Sequence, residues 1–195
     1  MCKLAKKKNK LISYSNMIAT VGTAILAVTA LITVYITVSA WNEEREANRP
    51  YFTFKDSPEV VLRESPEFEM VFTNVGEHPA VSLWSKSIVF QAGLKEKPVT
   101  IDEYALVNDI PKNASATLLI SLEGINKQKT LKDVPPYFFV IVLRYEDPII
   151  NESFEQTLYI KWNGMKGGEI LTTNHTEEAE KEQIIQYFKQ NRINL

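Results

Sequence analysis

Residues 11–42 carry no charged side chain, in a chain where 24% of residues are Asp, Glu, Lys or Arg. Water rejects such a run, and lipid rejects unpaired backbone groups, so the run must fold as a helix whose apolar surface is covered. Its most apolar part, residues 17–40, would be roughly 36 Å long at about 1.5 Å per residue. A bilayer's hydrocarbon core is about 30 Å thick, so the match allows a modest tilt. The pattern predicts five segments: a basic cytoplasmic arm at 1–10, a transmembrane helix at 11–41 (core 17–40), a juxtamembrane spacer at 42–50, a β-sandwich ectodomain at 51–172 and a C-terminal helix at 173–195.

The flanks set a direction. Lys3, Lys6, Lys7, Lys8 and Lys10 precede the run with no acid among them, whereas Arg45 and Arg49 follow it together with Glu43, Glu44 and Glu46. Lysine and arginine are retained on the cytoplasmic side, which predicts the N-terminus inside and the later domain outside the cell membrane. The five lysines should also attract anionic lipid headgroups. Trp41 suits the outer interface and Tyr14 the inner one. Val38-Ser39-Ala40 before Trp41 resembles a signal-peptide cleavage site. The apolar regions of cleaved signals run about 7–15 residues, however, and the longer run here reads as an uncleaved signal-anchor. Thr29, Thr33 and Thr37 share one helix face, and Ala19, Thr23 and Ala27 form a second ladder. Such ladders permit self-association or a partner helix. Threonine can equally bond its own preceding carbonyls.

Charge excludes one class of partner. Five of the 22 basic residues lie in the arm, leaving 17 against 24 acidic ones beyond the run, a net of about −7. Nucleic-acid binding needs a basic surplus, so none is expected. Cys2 is the single cysteine, which removes intrachain disulfides and cysteine nucleophiles outside the membrane. Sortase-like chemistry is thereby excluded.

After Pro50 the apolar period changes to two. Strands are predicted at 51–54, 60–62, 68–73, 80–90, near 104–107, at 116–122, 137–145 and 153–162. The stretch 137–145 is apolar on both faces and reads as a central strand covered on each side. Asp147-Pro148 turns it into 153–162, where Phe154, Leu158, Ile160 and Trp162 share the inward face. Gly164, Gly167 and Gly168 read as a flexible joint. Thr176 reads as the cap of a helix of about 14–18 residues, with Ile184, Ile185 and Phe188 as its apolar stripe and Glu177 spaced to pair with Lys181. The expected class is mainly β, an immunoglobulin-like antiparallel sandwich between an N-terminal transmembrane helix and a C-terminal amphipathic helix.

One resemblance supports this. The run Asn74-Val75-Gly76-Glu77-His78-Pro79-Ala80 follows Phe68-Glu69-Met70-Val71-Phe72. With Ile110-Pro111, Asn113, Ser115 and Leu143-Arg144-Tyr145-Glu146-Asp147, it resembles uncharacterised bacterial single-pass membrane proteins with an immunoglobulin-like ectodomain. The resemblance spans roughly 49–162, leaves out the C-terminal helix, and implies an anchored sandwich with no activity to carry over.

No catalytic, cofactor-binding or metal-binding residue can be named from the sequence. His78 and His175 lack partners at metal-ligand spacing. Glu146, Asp147, Glu152 and Glu155 read as a solvated acidic loop rather than a glycosidase pair. No nucleophile elbow, phosphate loop or signal-peptidase Ser-Met pair occurs. The expectation is a non-enzymatic binding or interaction module held at a lipid bilayer. The alternatives are an accessory subunit assembled through its two helices, or a hydrolase whose site is scattered in sequence.

Overall fold

The structure is a computed structural model that describes residues 2–63, 65–106, 108–122 and 132–195, with side chains from residue 17 onward. The side chains of Lys3, Lys6, Lys7, Lys8, Lys10 and Tyr14, and all of Val107, lie outside the described parts. The chain divides into two units, Met1–Ala47 and Asn48–Leu195.

The first unit is helix α1, Cys2–Ala47. Within it Met17–Ala47 is long and apolar enough to cross a membrane, with a mean hydropathy of 2.2 and none of its most apolar window buried. Thr23, Thr29, Thr33 and Thr37 each donate a hydroxyl hydrogen bond to the carbonyl four residues earlier, at 2.8–2.9 Å. These hydroxyls are therefore satisfied within their own helix.

The second unit is a two-sheet antiparallel β-sandwich. In the first sheet β1 (Phe52–Phe54) and β2 (Glu59–Leu62) lie along one edge of β3 (Pro66–Asn74), and β6 (Ser115–Ser121) lies along the other. The loop Lys55-Asp56-Ser57-Pro58 separates β1 from β2, at residues that favour turns, and Pro58 has no N–H to give to a ladder. The second sheet has the order β11–β8–β7–β4–β5. Its members are β4 (Val81–Gln91), β5 (Thr100–Ala105), β7 (Tyr137–Asp147), β8 (Glu152–Trp162) and β11 (Thr173–His175). The hairpin β7–β8 is paired continuously from Tyr137↔Trp162 to Asp147↔Glu152.

Alternation on β7 builds two cores, because successive side chains point to opposite faces. Phe139, Ile141, Leu143 and Tyr145 face the first sheet and meet Phe68, Met70 and Phe72 from β3, and Trp162 from the neighbouring β8 joins them in the main core. Phe68 meets Phe139 at 4.4 Å and Trp162 at 5.0 Å between ring centroids. Phe138 and Val140 face the other way and, with Ile88 and Phe90, pack under α2 (Glu178–Asn191). The helix contributes Ile184, Tyr187 and Phe188. Phe90 stacks on Tyr187 and meets Phe188 edge-on. The Tyr187 hydroxyl donates to the Glu96 carbonyl, and Lys161 on β8 pairs with Glu180.

Several local expectations are corrected. The glycine-rich stretch is not a joint. Met165–Lys166 (β9) and Glu169–Ile170 (β10) form a small hairpin turned at Gly167-Gly168, and β11 then returns along β8. Val134 and Met165 exchange both backbone hydrogen bonds at 2.9 Å. This brings a carbonyl to 2.0 Å from where a Gly164 Cβ would lie, at φ +85°, so only glycine fits. The α2 cap is Glu177 rather than Thr176, its N–H donating to the Glu180 carboxylate at 3.2 Å. The buried stripe takes Tyr187 where Ile185 was expected, and Lys181 pairs with Glu178 rather than Glu177. The strand expected near 104–107 begins earlier, at Thr100.

Candidate functional site

The end of the sandwich at which the chain arrives from residue 47 carries a buried polar network. Asn74 ends β3 and is fully buried. Its amide is saturated: Nδ2 donates to the carbonyls of His78 at 2.9 Å and Ile110 at 3.0 Å, and Oδ1 accepts from Tyr51 N–H at 3.2 Å and Gly76 N–H at 3.0 Å. An Asx side chain two residues before a glycine mimics a backbone turn, which is why this turn chooses Asn. Around it, Val75 N–H donates to the Tyr51 carbonyl and His78 N–H to the Asn48 carbonyl. A Cβ at Gly76 would stand 2.2 Å from the Arg49 carbonyl oxygen, so the turn and the segment 49–51 are in backbone contact.

His78 links this turn to the far hairpin. Its Nδ1 lies 2.7 Å from Asp147 Oδ2. The sequence placed Asp147 in a solvated acidic loop, but its side chain is fully buried. Asp147 Oδ1 accepts from Ile149 N–H at 2.9 Å and Ile150 N–H at 3.4 Å, closing the β7–β8 turn. Glu146, Glu152 and Glu155 remain exposed, and Glu155 pairs with Arg144. Tyr145 adds a buried hydroxyl bond to the Pro50 carbonyl at 3.0 Å. Burial raises its pKa above the ordinary tyrosine value, Arg49 opposes the rise and Tyr51 adds to it. Gln156 on β8 clasps the backbone of Phe52, accepting from its N–H at 3.0 Å and donating to its carbonyl at 2.6 Å. Four segments distant in sequence are thus fixed together at one end, and their polar atoms are spent on backbone partners and on the His78–Asp147 contact.

A second feature lies between two sheet edges, those of β5 and β6, that no other described strand pairs with. A largely apolar cavity of about 320 Å³ opens between β5 and β6, lined by Phe72, Leu83, Leu118 and Leu143, with Ser85, Tyr104 and Thr117 as its polar elements. It adjoins a shallower cleft of about 570 Å³ that shares Tyr104 and Leu119 with it. Ile101, Tyr104 and Leu119 are about half exposed along the rim. Thr100 Oγ1 bonds the Ser121 carbonyl at 3.4 Å and holds the two edges together at one end. The hydrogen bond and charge of Asp102 raise the pKa of the Tyr104 hydroxyl, with a smaller contribution from burial.

His175 lies elsewhere, 6.1 Å from the Phe54 ring in an open depression of about 380 Å³ with Lys55, Asp56 and Asn174. The two histidines belong to separate places, so the structure does not bring them together. Among the described residues, no group of three or more His, Cys, Asp or Glu side chains is arranged to hold a metal ion. The site that sequence reasoning missed is the buried network, and its one sequence trace is the pair of turn motifs Asn74-Val75-Gly76 and Asp147-Pro148.

The profile of a family described as a domain of unknown function (DUF8453) matches residues 17–166. The chain belongs to this family. The DUF8453 match reaches from the apolar part of α1 through the sandwich to β9, and it leaves α2 outside. It therefore begins earlier than the resemblance seen in the sequence, and it takes in every residue of the buried network. A search of curated proteins returns no match.

Proposed function

We propose that this DUF8453 chain is a single-pass membrane protein with its N-terminus in the cytoplasm, and that its extracytoplasmic sandwich is a non-enzymatic binding module. The observation that carries the reading is the apolar surface of α1. Leu26, Leu31 and Tyr35 are more than 70% exposed, and nothing in the described residues covers them. Exposed apolar area of that extent requires a cover, and lipid supplies one without a partner protein. The family match starts at residue 17, inside this helix, which supports an anchor retained with the sandwich. Thr hydroxyls bonded within their own helix also fit lipid on all sides, so assembly as an accessory subunit through α1 is the weaker alternative.

The sandwich reads as immunoglobulin-like. The orders β1/β2–β3–β6 and β5–β4–β7–β8 correspond to the A-B-E and C′-C-F-G sheets of that Greek key. The binding surface we assign is the cleft between β5 and β6. Among the described residues each strand has one edge unpaired in its sheet, and apolar side chains line the space between them. An extended polypeptide segment with alternating apolar residues suits such an edge, taking main-chain hydrogen bonds and filling the pocket. Asn74, Gln156 and Tyr145 spend their polar atoms on backbone partners, and the Asp147 carboxyl that meets His78 is fully buried rather than open to a substrate, which supports binding over hydrolysis.

The test uses the full chain expressed in cells. Cys2 should react with a membrane-impermeant maleimide only after permeabilisation, and the protein should resist carbonate extraction. A mature N-terminus at Trp41 by mass spectrometry would overturn the anchor in favour of a cleaved signal.

A further inference from the structure

We propose that the end of the sandwich formed by residues 48–51, 74–79, 110–114 and 148–151 rests on the bilayer surface and inserts apolar tips among the lipid headgroups. This rests on the reading of α1 as a membrane anchor. Helix α1 ends at Ala47, and the compact domain begins at the next residue in sequence, Asn48. Beyond the apolar part at 17–40, seven helical residues remain, worth roughly 10 Å at about 1.5 Å each. Headgroup layers add about 5–8 Å on each side of the hydrocarbon core. The chain therefore delivers this end of the domain to the headgroup layer or just above it.

The chemistry of this end suits that position. Tyr51, Val75 and Ile149 are 48%, 47% and 52% exposed, and Pro111 and Pro148 are exposed beside them in the same loops. Hydrogen bonds already described place them together: Tyr51 accepts from Val75 N–H, and His78 from the Val75 turn bonds Asp147 at the base of the Ile149 turn. Tyrosine is favoured at the membrane–water boundary, and small apolar tips lose unfavourable contact with water there. Charge does not select this face: its loops carry Arg49 and Lys112 against Glu77, Lys112 and Glu77 are paired, and the exposed Asp109, Glu146 and Glu152 flank them. The contact therefore rests on the apolar tips and on the covalent junction with α1. The buried Asn74 and Asp147 networks hold the loop backbones, so the tips are presented without an ordering cost at binding.

The test places a nitroxide label on the full chain, in a Cys2→Ser background, reconstituted in vesicles of phosphatidylcholine with and without phosphatidylglycerol. Labels go singly at Val75→Cys, Ile149→Cys, Lys95→Cys and Ile25→Cys, and accessibility to oxygen and to a water-soluble nickel complex is read by power saturation. The expected result is loss of nickel accessibility at 75 and 149 relative to 95 in both lipid compositions. Labels at 75 and 149 that match 95, while 25 reads lipid, overturn the surface contact and leave the anchor standing. A label at 25 that reads water overturns the anchor itself. Shielding at 75 and 149 that appears only in native membranes, and not in pure lipid, assigns this end to a protein partner and also overturns the proposal.

Discussion

His78 Nδ1 and Asp147 Oδ2 lie 2.7 Å apart, joining the turn after β3 to the turn after β7 across 69 residues of sequence. The carboxylate is fully buried and the imidazole nearly so. His78→Ala leaves Asp147 Oδ2 without this partner, and a buried polar group so stranded costs about 1–3 kcal/mol. Asp147→Ala also strips the acceptor from Ile149 and Ile150 N–H, so its loss should be larger. The double variant should lose less than the sum of the two, by at least about 0.5 kcal/mol, as bonded neighbours do. Urea unfolding of the full chain in detergent measures all three. Strict additivity would show that the pair is not coupled.

Asn74 permits a sharper comparison. Its Nδ2 faces two carbonyl oxygens, those of His78 and Ile110. Asn74→Asp keeps the size and places an acceptor against both carbonyls in a site closed to water. Asn74→Ala removes all four side-chain bonds but introduces no repulsion. The aspartate should therefore be at least as damaging as the alanine, each by more than about 2 kcal/mol. Thermal unfolding that ranks the aspartate as the milder change would contradict the donor assignment at Nδ2.

Gly76→Ala and Gly93→Ala separate backbone contact from glycine content. A Cβ at 76 meets the Arg49 carbonyl at 2.2 Å, and one at 93 meets nothing within 4 Å. The first should cost more than about 1 kcal/mol, because the segment 49–51 has to move. The second should stay within about 0.5 kcal/mol of the parent.

These sites show where the sequence is legible and where it is not. The α1 helix, the inward face of β8 and the two-faced strand β7 were readable because each writes a period of its own along the chain. Asp147 was not, because its partner His78 is distant in sequence and burial is a property of the assembled end. The same holds for Gly164, whose reason is the carbonyl of Val134 rather than any local turn signal. The glycines at 164, 167 and 168 read as a joint in the sequence because composition cannot distinguish a loose segment from a two-residue hairpin turn. The cleft between β5 and β6 exists only once strand order sets the free edges, and the sequence carries no marker of order. In α2, hydrophobicity alone favours Ile185 over Tyr187, whereas the stacking partner Phe90 decides which side of the stripe is buried.

That last choice can be tested on α2. Phe188→Ala removes a ring packed on Phe90, and a buried Phe→Ala change typically costs about 3–5 kcal/mol. Ile185→Ala lies at the margin of the contact and should cost far less. If the helix detaches in the first variant, Ile88, Phe90, Phe138 and Val140 become exposed, and binding of a hydrophobic dye should rise in step with the loss of stability. Equal effects from the two substitutions would mean that the helix docks through another face.

Tyr145 fixes the behaviour of the domain at high pH. Its hydroxyl donates to the Pro50 carbonyl from a buried position, and burial raises its pKa above the unfolded value of about 10. A raised acid keeps its proton more tightly in the fold, so the unfolded chain releases it first. The associated stability is complete below about pH 10 and is lost as pH rises through that value toward the folded pKa. Tyr137, Tyr159 and Tyr187 are raised by burial as well and act in the same direction. Tyr145→Phe should cost about 1 kcal/mol near neutrality, where the hydrogen bond is lost. Because it removes one titrating group, it should also flatten the fall in stability above pH 10, and the two curves should converge. Unfolding free energies of the parent and the variant across the alkaline range measure this, and curves that stay parallel would show that Tyr145 ionises in the fold as it does in water.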